Sequence, residues 1–180
     1  SADLRNAFNE TDRAGMLGRL FEQDRLSPLW RLAHWAYRDP TRLLVPLPGD
    51  TDPHIIWSRN GTRQGDPLSS LLFALAIKPA IDAAKLAAGP DVQVIAICDD
   101  VTFIGPPDGA TVTIAYEAFI AGVAALGLQS RPDKCKIVAF HGHALGPEIA
   151  RLAANGIPVH QGMTVIGGTP FGPGHHRVDV

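Results

Sequence analysis

The sequence predicts an α+β fold, an antiparallel sheet with helices packed on one face. Three observations lead there. β-Rich runs alternate with runs at helical spacing along the chain. The β-rich runs come in pairs whose connections are too short for the crossover that a parallel pair requires, so they read as hairpins and set this chain apart from a doubly wound parallel sheet. Finally, 180 residues at 46% hydrophobic content suffice for a sizeable core, as one domain or slightly more.

Taken in order, Asn9 to Gln23 can form a helix with Met16, Leu17, Leu20 and Phe21 on one face. "SPLWRLAHWAYRDP" is a stronger helix. Ser27 suits an N-cap and Pro28 the first turn, Leu29, Leu32, Ala33 and Ala36 recur at helical spacing, and Asp39-Pro40 stops it. "TRLLVPL" and "HIIWSR" flank the turn-rich "PGDTDP" and read as a hairpin. "NGTRQGDPLSSLLFALAI" is a glycine-containing loop entering a helix, with Asp66 as N-cap and Pro67 at N1, and Pro79 is expected to kink or end that helix before "AIDAAKLAAG" continues it. "DVQVIAI" and "VTFIG" are two short strands joined at Asp99-Asp100, since Asp tolerates the left-handed backbone of a tight turn. A helix follows over Thr111 to Leu126, then a strand at "CKIVAF", a short helix at "GPEIARLAA" and a final strand at "MTVIGG" leading into "TPFGPG".

Composition narrows the function classes. No apolar stretch is long enough to cross a bilayer, and no signal peptide is visible, so no membrane partner is expected. Cys98 and Cys135 do not make a disulfide framework, which points to a reducing, intracellular setting. A net charge of −2 argues against a free-standing nucleic-acid binder, which would carry a basic surface. Cys135 with His141 and His143 offers three zinc ligands but no fourth, and His175 and His176 read as exposed. Trp30, Trp35 and Phe119 read as packing residues.

The chemistry is concentrated at "VIAICDDVTFIG", where two adjacent carboxylates interrupt apolar runs. Neighbouring like charges in such surroundings are costly unless a cation compensates them. An exposed polar turn would explain that pair alone. Four further segments accompany it: "ADLRNAFN" with Asp3 and Phe8, "RQGDPLSSLLF", "LGLQSRPDKCKIV" and "VIGGTPFG". In this order and spacing they resemble the palm of reverse transcriptases, RNA-directed DNA polymerases, of the non-LTR retrotransposon type, over nearly the whole of residues 1–180.

The resemblance implies the antiparallel sheet of the polymerase palm and a set of roles. Asp3, Asp99 and Asp100 would be the catalytic and metal-binding aspartates, with Asp99 rather than Asp100 sharing both ions with Asp3. Phe8 would lie beneath the incoming sugar. Gln64 and Gly65 would form the loop under template and nucleotide, Lys134 would serve the pyrophosphate leaving group, and Gly167 to Gly172 would support the primer. Asp66 is left out of the metal site as a helix cap. The implied cofactor is a pair of Mg²⁺ ions, with Mn²⁺ an alternative, and the implied partners are an RNA template, a DNA primer and dNTPs. Ile97 departs from the family by replacing an aromatic residue two before the first hairpin aspartate. Only Ser1 and Ala2 precede Asp3, so the resemblance places the fingers and thumb outside this chain, and the isolated fragment is expected to be inactive. Two rivals stand beside this reading. A nucleotide cyclase would have acidic residues after its Gly-Gly hairpin, where this chain has Thr-Pro-Phe. A degenerate, non-catalytic retroelement remnant would keep the fold to bind RNA or protein.

Overall fold

A computed structural model describes residues 1–63, 65–139, 146–161, 164–166 and 169–171. The fold is mixed α and β, with short antiparallel hairpins, as expected. The chain divides into two compact units, Ser1–Arg5 with Ala80–Ala124 and Gln129–Val180, and Asn6–Pro79 with Ala125–Leu128.

In the second unit, α1 (Ala7–Glu10) and α2 (Arg13–Phe21) replace the single helix expected from Asn9. The break falls at Thr11 and Asp12 because the Asp12 carboxylate accepts the Gly15 N–H at 2.6 Å and so starts a new helix. A 3₁₀ turn, Asp24–Leu26, runs directly into α3 (Ser27–Tyr37), so Ser27 opens the helix from within instead of capping it. The core of this unit gathers Met16, Leu17, Leu20, Ala33, Tyr37, Leu72 and Ala76. Trp30 packs against it and donates its indole N–H to the Leu20 carbonyl at 3.0 Å. Trp35, expected to pack, is instead 77% exposed, because the buried stripe of α3 runs through Ala33 and Tyr37. The hairpin of β1 (Thr41–Val45) and β2 (His54–Ser58) forms where expected. Helix α4 (Ser69–Ala88) begins three residues after Asp66, whose carboxylate accepts the Leu68 N–H at 2.8 Å and thus caps the turn that leads into it. Pro79 lies inside α4 and does not end it, although it withholds one backbone donor; the division between the units falls just after it.

In the first unit, β3 (Gln93–Ile97) and β4 (Asp100–Ile104) form an antiparallel hairpin. The segment Ser1–Arg5 is hydrogen-bonded on both sides. Ala2 bridges Val101 of β4, while Leu4 bridges Ser130. Ala2, Leu4, Val101 and Phe103 are buried, and α5 (Ala110–Ala125) covers that face with Phe119, whose ring centroid is 5.8 Å from that of Phe103. At Gly122, a side chain would bring its Cβ to 2.7 Å from Ala80 Cβ, so glycine is what allows the two helices to approach there. The strand expected at "CKIVAF" contracts to β5 (Ile137–Val138), because the Lys134 and Cys135 N–H groups both bond the Arg131 carbonyl and hold residues 131–135 in a helical turn. β5 pairs with β6 (Val159–His160) in parallel, a departure from the all-antiparallel expectation, with α6 (Pro147–Ala154) in the connection. β7 (Thr164–Ile166) and β8 (Thr169–Phe171) form an antiparallel hairpin in place of a single final strand.

Candidate active site

The β3–β4 turn holds two residues, Cys98 and Asp99, between the paired Ile97 and Asp100. Such a short connection requires a positive φ, and Cys98 supplies it at 55°. The left-handed residue is therefore not an aspartate, as the sequence suggested, but a residue type that adopts this backbone only at a cost. Asp100 is the first residue of β4.

The antiparallel bridge between Ala2 and Val101 puts the following residue, Asp3, level with Asp100. Since Ala2 and Val101 are buried, Asp3 and Asp100 share the opposite, solvent-facing side of the ladder. Asp99 lies at the exposed turn beside them. The sequence reading paired Asp3 most closely with Asp99, whereas the register puts Asp100 opposite it. Burial pushes the Asp100 carboxyl above the usual carboxylate range, the charges of Asp99 and Asp3 push it further, and Lys136 partly opposes them. Asp3 is held through its backbone: its carbonyl accepts the Arg131 N–H at 3.0 Å, and its N–H points at the Cys135 sulfur at 3.4 Å.

Two cations flank these carboxylates. Lys136 donates its backbone N–H to the Ser1 carbonyl and its ammonium to the Val165 carbonyl at 2.6 Å. Arg131 is paired with Asp133 at 2.7 Å, and Asp3 makes a smaller contribution to its charged form. Lys134, the lysine singled out from the sequence, is exposed in the turn next to Asp133. No sequence signal separates Lys136 from Lys134, two residues before it.

The donor set suits a hard divalent cation. Mg²⁺ uses oxygen ligands and typically takes only one or two carboxylates, completing its shell with water and substrate phosphate. Asp3 and Asp100 on an open face offer that number, with Asp99 adjacent. Among the described residues, no group of three or more His, Cys, Asp or Glu is already gathered around a cation position. Cys135 is fully buried, and His141 and His143, its suggested zinc partners, lie outside the described residues, as do His175 and His176.

The remaining candidates belong to the other unit. Phe8, on α1, stacks on Phe73 of α4 with ring centroids 4.3 Å apart, and its carbonyl accepts the Thr62 N–H at 2.7 Å. Gly65 is exposed at φ 87°, in a turn closed by the Asp66 N–H on the Arg63 carbonyl at 3.1 Å. Gln64 lies outside the described residues, and so do Gly167, Gly168 and Gly172 of the suggested primer turn.

No family model matches the chain. Among the described residues, no helix is long and apolar enough to cross a membrane. The chain is 29% identical over 147 residues, 78% of its length, to the retrotransposable element SLACS 132 kDa protein of Trypanosoma brucei gambiense, and it spans 12% of that protein.

Proposed function

We propose that this chain is the palm of a retroelement reverse transcriptase, an RNA-directed DNA polymerase that transfers a nucleotide from a dNTP to a primer 3′-hydroxyl. The observation that carries this reading is Asp3 standing level with Asp100 on the open face of one antiparallel ladder, with Asp99 at the adjoining turn. The similarity to a retrotransposable element protein supports it independently.

In this reading Asp3, Asp99 and Asp100 hold two Mg²⁺ ions, for which Mn²⁺ can substitute. Bound there, the ions would lower the pKa of the primer hydroxyl and neutralise the triphosphate. The protein's part is to hold the carboxylates in place: the backbone of Asp3 is fixed by Arg131, and Asp100 by its pairing with Ile97. Phe8 forms the floor for the incoming sugar and rejects a 2′-hydroxyl. Gln64 and Gly65 support the template base and nucleotide, and Lys134 supplies a proton to departing pyrophosphate. RNA template, DNA primer, and the fingers and thumb of a larger polymerase complete the assembly.

The test is primer extension on RNA and DNA templates by the chain within its full open reading frame, beside Asp3→Asn. Metal-dependent extension on RNA, reduced by more than the roughly 10²–10³-fold typical of losing one oxyanion donor, is expected. Near-normal extension by Asp3→Asn would remove the assignment. RNA binding without any extension by the unaltered protein would favour the non-catalytic remnant.

A further inference from the structure

Among the described residues Tyr37 is the largest fully buried side chain, yet it carries a polar end. Burying a hydroxyl is costly unless it is hydrogen-bonded, and a phenylalanine would fill the same space. The guanidinium groups of Arg13 and Arg63 lie over its ring, 5.4 and 5.2 Å from the centroid. Its hydroxyl donates to the Asp66 carboxylate and accepts the backbone N–H of Arg63 at 3.2 Å. Arg63 and Asp66 are the two ends of the turn in which Gly65 lies, closed by the Asp66 N–H on the Arg63 carbonyl. One oxygen atom, fixed by a buried ring, therefore ties both ends of that turn.

The neighbouring bonds reinforce the arrangement. The Arg63 guanidinium donates to the Thr41 hydroxyl at 2.6 Å and to the Ala36 carbonyl. The second Asp66 oxygen accepts the Leu68 N–H. Gly65 itself is exposed and has no side chain, so its position is dictated from the flanks.

We propose that Tyr37 is a positioning residue, whose hydroxyl fixes Arg63 and Asp66, the flanks of Gly65, in the conformation that meets a template base and its incoming nucleotide. The ligand rests on the polymerase reading given above; the clamp itself rests on the geometry. Tyr37→Phe keeps the ring and both guanidinium contacts and deletes only the oxygen. Amide hydrogen exchange on the chain should then show protection at Arg63, Asp66 and Leu68 falling about tenfold or more, the scale expected for losing a hydrogen bond to a charged group. Protection in α2 and α3 should hold. Asp66→Asn, which keeps one of the two acceptor oxygens, should give an intermediate local loss, whereas a tyrosine that merely fills space predicts none. In nucleotide addition by the full protein, Tyr37→Phe should raise the dNTP KM about tenfold and leave kcat within about twofold. Unchanged exchange in Tyr37→Phe, or loss spread over the whole unit, would overturn the clamp. Loosened exchange with an unaltered KM would overturn the positioning role. A full protein that adds no nucleotides would overturn the ligand assigned to the loop, while the exchange result still decides the clamp.

Discussion

Replacing Asp100 by Asn should make the cation-free protein more stable and the cation-loaded protein less so. Asp100 stands level with Asp3, with Asp99 one residue away. Opposed residues on antiparallel strands have Cβ atoms about 4.5–5.5 Å apart. Two unit charges about 5 Å apart repel by about 3 kcal/mol at an effective dielectric of 20 and by about 1 kcal/mol in water. Exposure favours the lower figure and Lys136 offsets part of it, leaving about 0.5–1 kcal/mol, or about 1–4 °C in Tm for a chain of this size. The pH dependence follows from the direction of the shift. The folded protein raises the Asp100 carboxyl through burial, Asp99 and Asp3, so the protonated form contributes stability that is full below the ordinary carboxylate pKa and lost as pH rises through the folded value. Wild type and Asp100→Asn should therefore melt alike in acid and diverge as pH rises above about 4. Adding Mg²⁺ at ten times its Kd should return about 1.4 kcal/mol to the wild type and less to the variant, reversing their order. Thermal unfolding between acid and neutral pH, with and without MgCl₂, measures both effects. A variant less stable than wild type at neutral pH without cation, or an identical response to Mg²⁺, would refute the reasoning.

Phe8→Val should admit ribonucleotides, since shape-based rejection of one hydroxyl is worth about 10²-fold; unchanged discrimination between dNTP and rNTP would leave Phe8 as the partner of Phe73 alone. Cys98→Gly should raise stability by up to about 1 kcal/mol in urea unfolding, because relief of a left-handed residue, about 1–2 kcal/mol, exceeds the entropic cost of glycine, about 0.5–1 kcal/mol. A loss of stability would show that the turn is unstrained at Cys98. Arg131→Ala should lower the slope of log affinity against log salt for primer–template by about one unit, because Arg131 is a permanent cation held beside Asp3 by its backbone N–H on the Asp3 carbonyl. An unchanged slope would take it out of the interface.

Elements set by local chemistry were legible in the sequence. The helix over Ser27–Tyr37, the hairpins on either side of "PGDTDP" and of Asp99, and the helices of residues 110–125 and 147–154 all lie where spacing and turn residues put them. What escaped depends on partners distant in sequence or on single caps. The Asp12 carboxylate breaks a helix that periodicity alone would continue. The parallel pairing of Ile137–Val138 with Val159–His160 involves two residues on each side, too few to leave a pattern. Trp35 fits the helical period of α3 but not its buried stripe. For the site, the motifs named the carboxylates but not their register. Which aspartate opposes Asp3 depends on one bridge, between Ala2 and Val101, and no spacing within the hairpin encodes it. Tyr37 gave no signal either, because its clamp on the 63–66 turn is a tertiary contact.

Two adjacent carboxylates amid apolar residues pose a conflict that the hairpin resolves on one face only. Val101 and Phe103 turn inward beneath α5, so the apolar run is satisfied there. The other face carries Asp100 together with Ile95, Ile97 and Ile104, which are 43%, 70% and 43% exposed. This strand pair is thus buried on one face only. An exposed turn with no task would surround its aspartates with polar residues, which cost nothing in water. Here isoleucines border the carboxylates, and burial is the largest of the causes that raise Asp100. Partial desolvation is unfavourable to a bare carboxylate and favourable to one that meets a cation, because the attraction strengthens as water is excluded. Apolar surface beside it likewise gains when a flat base covers it. Both terms turn from cost to gain on occupancy, which is the physical ground for the metal-bound nucleotide proposed above for this face of β3 and β4.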